Sequence, residues 1–153
     1  STEVYRQIQD QWVQMDTALV NIGNYPSSPD FASLVRYGSL LQQQHTCGRL
    51  LVYYFNEAGT VIQSDQDFAI QIPLELLKQC PHIVGVCSAN TSEKALRGAL
   101  RSGIFTHIAV RAELVKSLLG QEVTYVTPCG GSSLHREFYF CLFCINFNIS
   151  LRE

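Results

Sequence analysis

The sequence predicts an α/β domain in which a parallel sheet is flanked by helices and carries one β-hairpin, and three segments predict it. The apolar run Val84-Gly85-Val86-Cys87 empties into the small polar residues Ser88-Ala89-Asn90-Thr91-Ser92, and a helical stretch to Gly103 and a second apolar run over 104–110 follow. An earlier run, Thr17-Ala18-Leu19-Val20-Asn21-Ile22, passes into Gly23-Asn24 and a turn-rich loop in the same way. Between them, Leu50-Leu51-Val52-Tyr53-Tyr54-Phe55 leads through Asn56-Glu57-Ala58-Gly59 into Thr60-Val61-Ile62, the pattern of two strands joined by a tight turn.

The elements follow in order. Val4, Ile8, Trp12 and Met15 recur at helical spacing, so residues 3–14 form an amphipathic helix with Trp12 toward the core. After the first strand, Pro26 and Pro29 with their small polar neighbours exclude regular structure until Asp30 caps a helix that runs to about Gln44, broken at Gly38. Residues 68–72 are a short extended piece, and Pro73 opens a helix carrying Leu74 and Leu77, since proline suits a first helical turn. The strand 82–87 comes next, then a helix that closes at Ser102-Gly103, a strand, and a last helix over 111–119 before Gly120. Strands alternating with helices imply parallel pairing with right-handed crossovers, a Rossmann-like sheet. From Gln121 the character changes: Phe138-Tyr139-Phe140-Cys141-Leu142-Phe143-Cys144-Ile145-Asn146-Phe147 is aromatic and uncharged, with neither strand alternation nor helical spacing. The chain therefore divides into a domain over 1–119 and an atypical tail over 120–153.

With 153 residues, 46% of them hydrophobic, one domain with a single core is the expectation. A net charge of -2 and the lack of a Lys/Arg cluster interleaved with aromatics argue against DNA binding by this chain itself. No apolar run approaches a bilayer span, so no membrane partner is expected. Ser1-Thr2-Glu3 does not open a signal peptide, and a cytoplasmic location is expected by default. In that compartment the six cysteines are reduced, with Cys80 and Cys87 acting as small apolar side chains. Asn90-Thr91-Ser92 and Asn148-Ile149-Ser150 fit the glycosylation pattern, which matters only in a secreted chain, and are read as chance.

A loop that leaves a strand and enters a capped helix presents backbone N–H groups at the carboxyl edge of a sheet, where anionic ligands bind. Gly23, Asn24, Ser88, Ala89, Ser92 and Lys94 fall on the two such crests and are candidate ligand contacts; Ser92 caps the helix, and Lys94 in its first turn is poorly placed unless an anion lies nearby. His45, Cys47 and Arg49 alternate at the start of the hairpin strand, which puts all three on one face; His45 and Arg49 are candidate ligand contacts, arginine because its paired donors match phosphate. The plainer reading of these three is an ordinary strand entrance. Cys141 and Cys144, with Cys129 and His135, make an irregular zinc or redox set that packed apolar cysteines explain better. His82 and His107 read as structural histidines, and the acidic residues show no general acid and base spacing. No metal, cofactor or catalytic residue is expected.

Three groups of residues resemble the effector-binding domain of the SorC family of bacterial sugar-responsive transcription regulators: Asp16-Thr17-Ala18-Leu19-Val20-Asn21-Ile22-Gly23, then Cys47-Gly48-Arg49 with Asn56-Glu57-Ala58-Gly59, then Val84-Gly85-Val86 through Ala99-Leu100-Arg101-Ser102-Gly103. The resemblance covers residues 1–119. It implies a fold similar to the sugar-phosphate isomerases, used to bind a phosphorylated sugar without turnover, in a homo-oligomer that reaches DNA through a domain absent here. This chain then corresponds to the second half of the effector domain. The family's acidic residue before Cys-Gly-Arg is His45 here, and its loop lysine aligns with Ser92, two positions before Lys94. The alternative is a fragment of a sugar-phosphate isomerase or deaminase of the same fold; a third possibility is a module that serves only dimerisation.

Overall fold

Thirteen helices and strands are assigned in the computed structural model, which describes residues 2–27, 31–65, 67, 69–119 and 142–143. In chain order they are α1 (Thr2–Val13), β1 (Thr17–Asn24), α2 (Phe31–Tyr37), α3 (Leu40–Gln43), β2 (Thr46–Leu50), β3 (Tyr53–Asn56), β4 (Val61–Ile62), α4 (Leu74–Lys78), β5 (His82–Cys87), α5 (Glu93–Arg101), β6 (His107–Ala109), α6 (Ala112–Leu119) and β7 (Leu142–Phe143). They build an α/β fold around one sheet of order β4-β3-β2-β1-β5-β6-β7. The strands β1, β5 and β6 are parallel, whereas β2, β3 and β4 on one side and β7 on the other are antiparallel.

The alternation of β1 decides which face is packed. Ala18, Val20 and Ile22 are buried with Leu50, Phe55, Leu77, Ile83, Leu96, Ile104 and Ile108 in the main core, under α4 and α5. Leu19, on the opposite face of the same strand, is 75% exposed. A smaller cluster of Tyr37, Leu41, Tyr54 and Ile62 forms on that opposite face at the antiparallel end, where α2 and α3 supply the cover. There Tyr25 and Tyr37 meet the Tyr54 ring edge to face, with centroids 5.3 and 5.2 Å away.

The helix α5 sits close to the sheet because it carries Gly98 over β3. A Cβ at that position would lie 2.9 Å from the Phe55 ring. At the far end of the helix, Gly59 (φ +88°) brings the β3–β4 turn against the backbone of Arg101 and Ser102.

Two local expectations are corrected. The run Leu50 to Phe55 is not one strand: it turns at Leu51 and Val52, with Leu51 in the left-handed region (φ +50°), and returns as β3 with Leu50 opposite Tyr53. No turn-forming residue marks the place. Tertiary contacts hold it instead, since Arg36 donates to the Val52 carbonyl at 3.0 Å and the Tyr53 hydroxyl to the Ile72 carbonyl at 2.6 Å. The second correction concerns His45, Cys47 and Arg49, which do not share a face. The β2–β3 register slips between Thr46 and Gly48, so the bulge breaks the two-residue period.

The strand expected over 104–110 is confined to His107–Ala109, and the other boundaries agree within a residue or two, including the break at Gly38 (φ +54°), Pro73 ahead of α4 and Gly103 (φ +65°) after α5. Trp12 is half-buried at the edge of the core. Residues 69–72 carry no strand, and Asp30, Phe68 and the tail cysteines with His135 lie outside the described residues.

Candidate functional site

The carboxyl ends of β1, β5 and β6 open on one edge of the sheet, and the loop 88–92 that leaves β5 is the centre of it. Three side chains fix that loop. The Asn24 carboxamide donates through Nδ2 to the Asn90 carbonyl at 2.6 Å and accepts through Oδ1 from the Ser92 amide at 2.8 Å, so one side chain clamps both ends of residues 90–92. Thr91, 4% exposed, donates its hydroxyl to the Ile22 carbonyl at 3.1 Å and lies 3.2 Å from the Ser88 hydroxyl. On the far side, Arg111 follows β6 and donates through Nη2 to the Ala89 carbonyl at 2.5 Å. The loop is thus tied to both neighbouring strands before any ligand arrives.

Ser92 caps α5 as expected: its Oγ accepts from the Ala95 amide at 3.2 Å. A cap of this kind is worth about 1 kcal/mol. Glu93 in the same first turn accepts from the Ser117 hydroxyl, which ties α6 to α5.

On the β2 side, register places Gly23 opposite Arg49 and Asn24 opposite Gly48. A side chain at Gly23 would meet Cγ and Nε of Arg49 at 3.2 Å, so glycine leaves room for the arginine to lie across β1. His45 is exposed, in the left-handed region (φ +51°), and precedes the strand beyond the carboxyl end of β1. Cys47 turns the other way, toward α5, where its thiol lies 3.4 Å from the Lys94 carbonyl and 3.8 Å from that of Phe55. Burial pushes the Cys47 thiol up, with the Glu57 carboxylate acting in the same sense and Lys94 against it. Cys87, the last residue of β5, is pushed up by burial to about 11, partly offset by a hydrogen bond with Thr91. Both thiols are protonated near neutral pH and are packing groups.

Gly23, Asn24, Arg49, Ser88, Ala89 and Ser92 therefore occupy one continuous stretch of the edge. Lys94 is exposed in the first turn of α5, and His45 stands at the outer end of β2. Sequence reasoning missed Arg111 and Thr91. Arg111 carries the same signal as Asn24 and Ser88, a polar residue directly after an apolar strand, but the sequence reads it as the first residue of the helix over 111–119. Among the described residues, no group of three or more His, Cys, Asp or Glu side chains converges as a metal-ligand set.

The family model described as "Putative sugar-binding domain" matches residues 2–120. The chain belongs to this sugar-binding domain family. Its fold is shared by solved transcriptional regulators. The full-length sorbitol operon regulator SorC from Klebsiella pneumoniae is 23% identical, with TM-score 0.61 over 75% of this chain and 38% of its own. A transcriptional regulator from Streptococcus pneumoniae TIGR4 is 21% identical, with TM-score 0.61 over 76% of this chain and 47% of its own. A DeoR family transcriptional regulator from Listeria monocytogenes is 19% identical, with TM-score 0.60 over 74% of this chain and 48% of its own. This chain thus spans less than half the length of each of these regulators. Among curated proteins, none matches the sequence. No helix among the described residues is long and apolar enough to cross a membrane.

Proposed function

We propose that this sugar-binding domain senses a phosphorylated sugar for a regulator of carbohydrate genes, holding it at the carboxyl edge formed by Gly23, Asn24, Arg49, the loop 88–92 and Arg111. One observation carries the reading: Asn24, Thr91 and Arg111 brace the loop from both sides, while Arg49 and Arg111 place guanidinium groups at the edge. Guanidinium donors match phosphate oxygens in pairs, and a braced loop loses little entropy when a ligand binds. His45 and Lys94 flank the site as further contacts. The site residues bind and position, and turnover is not part of the proposal. Operator DNA is reached through a segment outside this chain, and the regulator works as a homo-oligomer.

The test is thermal denaturation of the chain against a panel of sugar phosphates, each paired with its unphosphorylated sugar. Ligand bound to the folded state alone raises the midpoint, by a stabilisation that grows with the logarithm of its concentration over Kd. A shift with at least one sugar phosphate, absent with its parent sugar, supports the reading. A shift of equal size with the parent sugar overturns the phosphate assignment, and catalytic conversion of the bound sugar phosphate would replace sensing with isomerase or deaminase chemistry.

A further inference from the structure

The amino edge of the sheet, opposite to the loop 88–92, carries two histidines on one face. His107 on β6 pairs with Val84 on β5, and His82 stands two residues before Val84, so both imidazoles project from the face that Leu19 shares. Their ring centroids lie 6.0 Å apart. His82 is exposed and His107 half-buried. We propose that His82 and His107 together bind a divalent first-row transition-metal ion of the nickel or copper type, with water in the remaining positions.

Three features support the assignment. Imidazole nitrogen is the ligand such ions prefer over carboxylate or carbonyl oxygen. Metal–nitrogen bonds of about 2.1 Å put two rings that share an ion about 5 Å apart, so the rings need to close by about 1 Å, which an exposed side chain can supply. The third feature is orientation. Thr106 Oγ1 lies 3.0 Å from His107 Nδ1, and the same hydroxyl is anchored to Ile83, accepting from its amide at 2.7 Å and donating to its carbonyl at 3.1 Å. With the hydroxyl proton on Ile83, Oγ1 accepts from Nδ1–H, which leaves the Nε2 lone pair as the ligand atom. An anchored partner on the far nitrogen is what fixes ligating histidines in metal sites. Because the two rings stand on adjacent strands, the ion would staple β5 to β6.

The experiment is nickel titration by calorimetry of the full 153-residue chain and of three variants, with melting curves recorded with and without nickel. The wild type is expected to take up one equivalent that raises its melting temperature. His82→Ala and His107→Ala are each expected to weaken that uptake by at least roughly tenfold, and His45→Ala, at the opposite edge, to leave it unchanged. His82→Ala removes only an exposed ring, so its metal-free melting temperature should match wild type and a loss of binding cannot be attributed to unfolding. Equal nickel affinity in wild type and both single variants, or no uptake by the wild type, overturns the proposal. Either result leaves the effector site at the other edge untouched.

Discussion

Asn24 and Ser92 are joined across the parallel pair β1 and β5 by a 2.8 Å hydrogen bond from the Ser92 amide to the Asn24 carboxamide oxygen, while the amide end of the same group holds Asn90. No backbone pairing reaches this far, since the β1–β5 register ends at Ile22 and Cys87. Asn24 thus continues the sheet's hydrogen bonding by one step through a side chain, and the shape of the loop depends on it. Asn24→Ala removes both bonds and should weaken sugar phosphate binding by about tenfold or more, at about 1 kcal/mol per lost bond. Asn24→Asp keeps the acceptor for Ser92 but turns an oxygen toward the Asn90 carbonyl, and should bind no better than the alanine variant. Calorimetric Kd values for the two variants check this, and wild-type affinity in either one refutes the clamp.

The buried pair of Arg36 and Asp67 sets the acid limit of the fold. Both carboxylate oxygens accept from the guanidinium, at 2.8 and 2.9 Å, Tyr37 donates at 2.9 Å, and the Ala69 amide donates at 3.0 Å. The Arg36 hydrogen bonds above all hold the Asp67 carboxyl at about 2, below its usual 3.8. The folded state thus takes up this proton less readily than the unfolded one, so the stabilisation is complete above about pH 4 and is lost as pH falls toward about 2. It amounts to roughly 2 kcal/mol. Asp67→Asn strands a buried guanidinium and should cost about 3 kcal/mol near neutral pH, while abolishing that part of the acid dependence. Urea midpoints across the acid range measure both effects; an unchanged acid slope in the variant would contradict the assignment.

How far the sequence foretold this molecule depends on whether the cause is local. Helix ends and the parallel strands were readable because Ser92, Gly38, Gly103 and Pro73 act within their own turn, and because Val20, Ile22 and Ile83 sit in apolar runs. The turn at Leu51 was not readable, since its causes are distant in sequence: Arg36 reaches in to the Val52 carbonyl, and Tyr53 reaches out to that of Ile72. The bulge after Thr46 hid the true facing of Cys47 for the same reason, as Lys94 and Phe55 receive that side chain from another helix and strand. At the site, the crests after β1 and β5 were visible as polar residues following apolar runs. The roles were not: Asn24 reads as a ligand contact and serves as a clamp on Asn90 and Ser92.

Gly98 tests how α5 is seated. Adding a methyl group there places it against the Phe55 ring and the Asn56 carbonyl, and the backbone partner cannot move aside as a flexible side chain could. Gly98→Ala gains helix propensity, close to 1 kcal/mol, yet overpacking on this scale costs about 1 to 3 kcal/mol and the helix must lift from β3. The variant should melt below wild type. A higher melting temperature would mean that α5 does not lie on the sheet as described.

Cys87 ends β5 beside the loop 88–92, and its thiol is raised by burial to about 11. At about pH 8 roughly one molecule in a thousand carries the thiolate, the form that alkylating reagents attack. Iodoacetamide at that pH should leave Cys87 unmodified in the native chain and modify it in urea, read by peptide mass mapping. Because the raised value favours the protonated folded state, the contribution to stability is present below about pH 9 and is lost as pH climbs through about 11. Rapid native labelling at Cys87 would show that β5 does not end in a packed position.

Arg111 separates charge from shape at the site. Its Nη2 holds the Ala89 carbonyl, and a guanidinium has five N–H donors, so the same fork can brace the loop and still meet an anion. Arg111→Lys keeps the charge but loses the planar fork, whereas Arg111→Gln keeps a polar donor and loses the charge. If Arg111 only braces the loop, both variants should weaken sugar phosphate and parent sugar alike, with no change in salt dependence. If the guanidinium also faces the phosphate, Arg111→Gln should lose roughly tenfold more affinity than Arg111→Lys, and the salt dependence of binding should shrink with the charge. The second pattern is expected, because Arg111 is exposed at the edge with two strands, β1 and β5, between it and the strand of Arg49, and two cations on either side of a braced loop favour an anion between them.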